Sequence, residues 1–278
     1  MTLLEQTQHV AKKYGIRPRR ERGQNFLVDE TVLTKMIQAA DLTHQETVVE
    51  VGGGLGTLTR ALADHAKEVV VVEIDTLAIH ALQDVQKAHP NVRVIHEDIL
   101  KLEVANVIEG AYTIVASLPY NITSLFLRTI LEHQRPPKQM VLVIQREVAR
   151  RITAKPGDMS ILAVAVQFFA DVEIMDNVPP EAFWPRPEVH SSIVRIVPYA
   201  DILARRSEAK PLFRVVRAGF SSPRKQLRNT IKSAFHLENQ DVEAILTQAS
   251  IDPRTRAERL SLENWKTLQH ILAESGIL

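Results

Sequence analysis

The residues best suited to chemistry form a glycine-rich turn between an apolar run and a helical pattern. The run from Thr47 to Val51 predicts a short buried strand, and glycines follow at positions 52, 53, 54 and 56. Glycine lets a backbone turn sharply and approach a ligand closely. Apolar residues at helical spacing from Leu58 to Leu62 indicate that a helix begins directly after the turn. The N-terminus of that helix would therefore face the ligand.

An acidic residue after the next strand points to a nucleotide-type ligand. Glu73 ends the following apolar run, about twenty residues after the turn, where a carboxylate can accept hydrogen bonds from ribose hydroxyls. A dinucleotide fingerprint needs glycines at its first, third and sixth positions. Counted from Gly52 the sixth position is Thr57, and counted from the next glycine the third is Leu55. The dinucleotide interpretation therefore fails in both registers.

Glu50, directly before the turn, favours a different cofactor. A carboxylate there would repel a pyrophosphate but suits a ligand that carries an ammonium and a sulfonium group. The pattern therefore favours S-adenosylmethionine (AdoMet) as cofactor, with S-adenosylhomocysteine as its product. The alternative is a glycine turn that only lets a helix pack on its strand, and the acid at Glu73 makes this alternative the weaker one.

The rest of the chain supplies a doubly wound α/β scaffold for these residues. Repeated strand–helix units predict a mostly parallel sheet with helices on both faces. Two late strands without a helix between them indicate an antiparallel edge. The predicted strands cover residues 47–51, 69–74, 92–96, 112–116, 139–144, 166–175 and 192–197. After Pro198 only helical periodicity remains, which predicts a small all-helical domain.

Charge divides the chain into an acidic body with two basic ends. Residues 1–24 carry a net +4, residues 25–204 a net −8 and residues 205–278 a net +5. We expect three parts: a mobile basic arm (1–22) in which Pro18 breaks any helix, a cofactor-binding domain (23–203) and a helical docking domain (204–278). Basic ends suggest a polyanionic partner held through its phosphates, and solvated charged faces are the alternative.

Composition excludes several other classes of protein. The 278 residues include no cysteine, so disulfides and thiolate metal sites are excluded. The histidines lack the spacing of metal ligands, so no metal is expected. No apolar run approaches membrane-spanning length, and the N-terminus lacks a signal-peptide core. We expect a cytoplasmic protein without a membrane partner, and a monomer because no long apolar stripe demands a partner.

Several short motifs occur along the chain in the order and spacing of a known protein family. Nearly the whole length of the chain resembles the ribosomal RNA adenine dimethyltransferases, the KsgA family, and the order and spacing of the motifs together are highly specific. The matching stretches are Gly23–Leu27, Glu50–Gly56, Glu73, Glu97–Asp98, Leu118–Ile122, Gln145–Ala149, Pro180–Phe183 with Pro185 and Pro187, and Phe220–Asn229.

The resemblance implies a fold, a reaction and a set of site residues. The fold is the Rossmann-like sheet of class I AdoMet-dependent methyltransferases, and the reaction adds two methyl groups to N6 of each of two adjacent adenines near the 3′ end of 16S rRNA in the small ribosomal subunit. The implied cofactor-binding residues are Asn25, Leu27, Gly52, Glu73, Asp98 and Ser117, to which the glycine pattern adds Glu50 and Gly54. The expected catalytic residues are Ser117, Leu118, Pro119, Tyr120 and Phe183. The expected RNA-binding residues are Arg19, Arg20 and Arg22 in the arm and Arg224, Lys225 and Arg228 in the helical domain.

The loop at Ser117 suggests how an amine is methylated. The N6 lone pair is delocalised into the adenine ring, and acceptors such as the Leu118 carbonyl oxygen would help localise it toward the sulfonium methyl group. Such a displacement depends on alignment more than on a strong base. Tyr120 and, by the resemblance, Phe183 would stack on an adenine splayed out of its RNA. Core packing is the alternative role for both rings.

One position departs from the family pattern and keeps alternatives open. Ser117 stands where the family has Asn, and serine keeps an acceptor oxygen on a shorter side chain. We expect the protein to remain active. A reduced rate and monomethylation in place of dimethylation are the alternatives. Two other functions remain: a large-subunit rRNA adenine N6-methyltransferase of the macrolide-resistance type, and a catalytically weak ribosome-assembly or RNA-binding factor on the same fold. The basic Phe220–Asn229 stretch favours the small-subunit enzyme over the former.

Overall fold

The computed structural model describes residues 1–18 and 23–278. The chain divides into two compact units. The first contains residues 1–149 and 172–198, and the second contains residues 150–171 and 199–278. This division differs from the predicted domain bounds by grouping residues 150–171 and 199–203 with residues 204–278. None of the described helices is long and apolar enough to cross a membrane.

A seven-stranded sheet organises the first unit. Its strands are β2 (Thr47–Val51), β3 (Glu68–Glu73), β4 (Val92–His96), β5 (Tyr112–Ser117), β6 (Gln139–Gln145), β7 (Ala170–Val178) and β9 (Ser191–Pro198). Their order in the sheet is β4-β3-β2-β5-β6-β9-β7. Strands β2 to β6 pair in parallel, and β9 runs antiparallel to β6. The predicted mostly parallel sheet with an antiparallel edge is confirmed.

Helices connect the strands, as right-handed crossovers require. They are α2 (Glu30–Ala40), α3 (Thr57–Ala63), α4 (Thr76–Ala88), α5 (Thr123–Leu131) and α6 (Arg146–Ile152). Asp29 and Asp75 cap α2 and α4 by accepting hydrogen bonds from backbone N–H groups of the first turn. The central strands are apolar on both faces and buried, and the side chains from Val69 to Val71 are completely shielded from solvent.

A second, two-stranded sheet lies in the same unit. Strand β1 (Phe26–Leu27) pairs antiparallel with β8 (Phe183–Trp184), so that Phe26 faces Trp184 and Leu27 faces Phe183. The N–H of Val28 also donates to the Ala182 carbonyl oxygen over 2.8 Å. Residues far apart in sequence, around positions 26 and 183, are thereby held side by side.

The predicted mobile arm is wrong for residues 3–13, which form helix α1 (Leu3–Lys13). The helix begins with a reciprocal capping box between Thr2 and Glu5. Ala11 packs in a buried cluster with Ile16, Leu55 and Ala81. Pro18 lies beyond the end of the helix and cannot break it. Apolar packing and capping therefore outweigh the basic composition on which the prediction of an arm was based.

The second unit is helical. Its helices are α7 (Ile161–Phe169), α8 (Ile202–Gly219), α9 (Leu227–Phe235), α10 (Asn239–Gln248) and α11 (Leu262–Glu274). Trp265 is completely buried, and a Cβ on Gly219 would lie 2.3 Å from its ring, so only glycine permits this approach. The predicted strand 166–175 is wrong in its first part, because residues 166–169 belong to α7. A continuous apolar run does not distinguish a buried helix from a strand, and Ser160 caps the helix.

Candidate active site

A cavity of ≈ 700 Å³ opens at the carboxyl ends of strands β2, β3, β4 and β5. This is where ligands bind in open α/β sheets, and the volume is ordinary for a small-molecule site. The whole lining comes from the first unit. It comprises Ile16, residues 23–26, Val51, Gly52, Gly54, residues 72–78, 97–100 and 117–122, and Phe183.

Glu73 links two walls of the cavity. Its Oε2 accepts a hydrogen bond from the Gly54 N–H over 2.9 Å, and its Oε1 accepts from the N–H groups of Ile74 and Asp75, each over 2.8 Å. The side chain is nearly buried but reaches the cavity. Three donors orient the carboxylate and occupy both lone pairs of Oε1, which leaves one lone pair on Oε2 for a ligand hydroxyl.

Two glycines allow neighbouring segments to approach the cavity closely. A Cβ on Gly54, whose φ is +53°, would lie 2.9 Å from the Phe26 ring. A Cβ on Gly23, whose φ is +64°, would lie 3.2 Å from the Tyr120 backbone nitrogen. Side chains at either position would be strained, so the packing requires glycine at both.

The loop after β5 forms the opposite wall. Ser117 is the last residue of β5 and lines the cavity. The N–H of Leu118 donates to the Val143 carbonyl oxygen over 3.1 Å, so β6 fixes the start of the loop. The Pro119 carbonyl oxygen accepts from the Ile122 N–H over 3.2 Å. The predicted catalytic stretch 117–120 is therefore a defined turn facing the cavity.

Tyr120 is held at its hydroxyl end. The Tyr120 Oη and the Ser191 Oγ are 2.8 Å apart. Burial raises the pKa of the Tyr120 phenol, and the hydrogen bond with Ser191 partly offsets this shift. The phenol thus remains neutral at physiological pH and can donate or accept one hydrogen bond.

Two further predicted cofactor residues lie in the cavity wall. Asp98 follows β4, and its Oδ1 accepts from the Leu100 N–H over 3.0 Å. Asn25 lies next to β1, and its Nδ2 donates to the Gly23 carbonyl oxygen over 3.3 Å. The structure therefore brings together Asn25, Gly52, Gly54, Glu73, Asp98 and Ser117 around one space.

Glu50 does not reach the cavity, contrary to the sequence prediction. Only 1% of its side chain is exposed, and Thr59 Oγ1 donates to its Oε2 over 2.6 Å beneath the glycine turn. Burial raises its pKa to about 8, with a smaller contribution from the charge of Glu73. A neutral, enclosed carboxyl group cannot attract a cationic ligand. The predicted direct attraction between Glu50 and a cationic cofactor therefore finds no support in the position of Glu50 beneath the turn.

Leu27 and Phe183 face each other in the small sheet, and both belong to the hydrophobic core. Leu27 is absent from the cavity lining, so the structure places it behind the wall formed by its neighbours. Phe183 is only 4% exposed but lines the cavity. Its predicted stacking on a base stays a prediction.

The predicted RNA-binding residues fall into three groups. Arg224 and Lys225 are exposed just before α9. The Arg228 guanidinium instead contacts the Glu243 carboxylate over 3.0 Å. The predicted contacts at Arg19, Arg20 and Arg22 lie outside the residues that the structure describes.

Several further residues line this wall or support it from behind. Gln24 Nε2 donates to Asp75 Oδ2 over 3.5 Å and joins the segment before β1 to the start of α4. Gln24 lies within a motif used for the resemblance, so a signal was present. Ile74 and Leu77 are exposed apolar residues on the cavity wall. Ser191 carried no signal, because its role depends on the antiparallel register of β9.

In residues 1–18 and 23–278 no group of three or more acidic, histidine or cysteine side chains is arranged to hold a metal ion.

Comparison with known proteins gives a consistent result. Residues 16–274 match the model of the family described as ribosomal RNA adenine dimethylase. A Dehalococcoides mccartyi protein named ribosomal RNA small subunit methyltransferase A is 42% identical over 99% of this chain and 95% of its own length. The protein of the same name from a Geobacillus species is 35% identical over 96% and 97%.

Solved structures agree on the fold. A dimethyladenosine transferase from Plasmodium falciparum superposes with a TM-score of 0.75 at 24% identity, covering 90% of this chain and 98% of that one. The 23S rRNA methyltransferase ErmE superposes with a TM-score of 0.72 at 28% identity, covering 90% and 100%. Both the Rossmann-like methyltransferase sheet and the resemblance stated from the motifs are confirmed. The chain belongs to the ribosomal RNA adenine dimethylase family and is an rRNA-modifying methyltransferase.

Proposed function

We propose that this protein transfers methyl groups from AdoMet to N6 of two adjacent adenines near the 3′ end of 16S rRNA in the small ribosomal subunit. The observation that carries the proposal is the convergence of Glu73, Asp98 and the Ser117–Tyr120 loop on the same cavity. The relatives of 42% and 35% identity favour the small subunit over the large one, because both are named for it.

The cavity residues fit AdoMet. The oriented carboxylate of Glu73 suits the ribose hydroxyls, and Asp98 offers a second carboxylate near the apolar Ile74 and Leu77, which suit an adenine ring. Glycine at position 52 leaves the backbone bare at the cavity wall. When bound, AdoMet supplies an electrophilic methyl group on a sulfonium.

The loop after β5 would receive the adenine that is methylated. The Ser117 hydroxyl and the Leu118 carbonyl oxygen are acceptors that can hold the N6 amine and align its lone pair. A C–N bond forms as the S–C bond breaks, sulfur keeps the bonding electrons, and N6 releases one proton to solvent per transfer. Serine is shorter than the usual asparagine, so its contact with the amine can run through a water molecule.

RNA docking involves the second unit. Arg224 and Lys225 are exposed, which supports a proposed role in contacting phosphates, and arginine can make such a contact with two hydrogen bonds. Arg228 would first have to leave Glu243, so we assign it a smaller share. Arg19, Arg20 and Arg22 remain proposed contacts on the basis of their charge. We propose a cytoplasmic monomer.

The experiment compares the two ribosomal subunits as substrates. Undermethylated small subunits and, separately, large subunits are incubated with the protein and methyl-labelled AdoMet, and label in each rRNA is counted. We expect label in the small-subunit rRNA. Label confined to the large subunit would favour the macrolide-resistance type of enzyme, and label in neither would favour a binding or assembly factor.

A further inference from the structure

The hydrogen bond between Tyr120 and Ser191 joins two parts of the sheet that are not neighbours. Tyr120 lies in the loop after β5, and Ser191 is the first residue of β9. Strand β6 separates β5 from β9, and its last residue, Gln145, pairs with Ser191. The Tyr120 side chain therefore crosses the carboxyl end of β6 to reach its partner.

Ser191 has no direct access to the cavity. Its side chain is completely buried, and it is absent from the described lining. A buried serine hydroxyl needs a hydrogen-bond partner, and Tyr120 supplies it. Any effect of Ser191 on a bound base must therefore act through Tyr120.

Both ends of Tyr120 are fixed. On the backbone side, Gly23 packs so closely that a Cβ on it would lie 3.2 Å from the Tyr120 nitrogen. The preceding Pro119 carbonyl oxygen is engaged by the Ile122 N–H and by Thr123 Oγ1, each over 3.2 Å. The hydrogen bond with Ser191 also holds the hydroxyl end of the side chain in the absence of RNA.

We propose that Ser191 is a positioning residue for methyl transfer, which fixes the Tyr120 ring so that the target adenine stacks on a preorganised surface. This inference rests on the proposed function. A preplaced ring avoids the loss of side-chain freedom on binding. Because methyl transfer needs the amine in line with the methyl group, a ring free to tilt would misalign it.

The neighbouring Ser192 provides a matched control. It is also completely buried in β9, but its Oγ donates to Asn177 Oδ1 over 3.3 Å. Successive strand residues point to opposite faces, so Ser192→Ala removes an equivalent hydroxyl without touching Tyr120. A general loss of strand stability would affect both serine variants alike.

The test is a double-mutant cycle with Tyr120→Phe, Ser191→Ala, the double variant and Ser192→Ala. Methyl transfer to undermethylated small subunits gives kcat and KM, and titration calorimetry gives AdoMet affinity. We expect Tyr120→Phe and Ser191→Ala each to lower kcat about tenfold, the usual scale for one buried hydrogen bond. The double variant should be no slower than either single one, with AdoMet affinity unchanged and Ser192→Ala close to wild type.

A second readout does not depend on catalysis. An rRNA fragment carrying 2-aminopurine at the methylated position loses fluorescence when the base stacks on an aromatic ring. Ser191→Ala should reduce this quenching as much as Tyr120→Phe does, and Ser192→Ala should leave it unchanged.

The outcomes separate this inference from the function on which it rests. The role of Ser191 is overturned if the double variant loses kcat by the product of the two single losses. It is also overturned if Ser191→Ala and Ser192→Ala have equal effects. A wild-type protein that transfers no methyl group refutes the proposed function, and the quenching cycle then still decides whether Ser191 positions the ring.

Discussion

The backbone N–H of Gly54 donates a hydrogen bond to Glu73 Oε2 over 2.9 Å and so ties the glycine turn after β2 to the last residue of β3. The bond connects the two sequence features that first indicated a nucleotide-type ligand. Glu73 therefore has two tasks, since it would bind the ribose and it also holds the turn that faces the rest of the cofactor.

Replacing Glu73 should weaken cofactor binding strongly. Glu73→Gln keeps the shape but places an amide NH₂ against backbone N–H donors, which leaves a buried donor unsatisfied. We expect the Kd for AdoMet to rise about 10- to 100-fold, measured by calorimetry. Glu68→Gln, at the partly exposed start of the same strand and paired with Arg93, is the matched control. Equal affinities for both variants would contradict the role of Glu73.

The buried carboxyl group of Glu50 should make stability depend on pH. Folded Glu50 keeps its proton up to about pH 8, whereas the unfolded chain releases it near the ordinary value of 4.5. Between these values the folded state binds more protons, so the free energy of unfolding falls as pH rises. Glu50→Gln cannot ionise, so the variant should lack this fall in the free energy of unfolding, which we expect to be on the order of a few kcal/mol.

Urea unfolding of wild type and Glu50→Gln from about pH 5 to about pH 9 checks this expectation. The difference between the two proteins isolates Glu50 from the histidines, which titrate in both. The free energy of unfolding of the variant should increase relative to that of the wild type as pH rises. Curves that stay parallel across the range would mean that Glu50 does not keep its proton in the folded protein.

Charge reversal before α9 should weaken RNA binding through phosphate contacts. Arg224→Glu with Lys225→Glu should reduce affinity and flatten the dependence of log K on log salt by roughly 0.7–0.9 per lost contact, while AdoMet affinity is unchanged. The control reverses Lys67 and Lys138, which immediately precede β3 and β6 and therefore lie at the amino ends of these strands, away from the cavity at their carboxyl ends. A salt slope equal to that of the control would refute the proposed docking site.

The backbone amide hydrogens of helix α1 should exchange slowly with solvent, whereas those of a mobile arm would exchange rapidly. Its capping box and the packing of Ala11 predict slow exchange of backbone amides from about residue 6 to residue 13. Lys13 and Tyr14 also contact Asp84 of α4 and hold the pKa of its carboxyl group below the usual value. Hydrogen exchange measures this directly, and Thr2→Ala should speed it. Exchange at the rate of an unfolded peptide in the wild type would contradict the helix.

The sequence predicted the sheet well because its strands are short, valine-rich and bounded by turn residues. It also located Glu73, Asp98 and Ser117, since each ends a strand or follows one, and the ends of parallel strands meet at one edge. It failed for Glu50, where only the fold decides whether an acid next to a turn faces the ligand or the core. It also missed Ser191, whose partner is seventy-one residues away.

The most direct test of the central claim is mass analysis of the nucleosides of small-subunit rRNA after incubation with this protein and AdoMet. We predict N6,N6-dimethyladenosine at two adjacent positions, formed by the wild type with Ser117 in place. Product from Ser117→Asn but none from the wild type would contradict an active enzyme, and monomethyladenosine alone would contradict dimethylation.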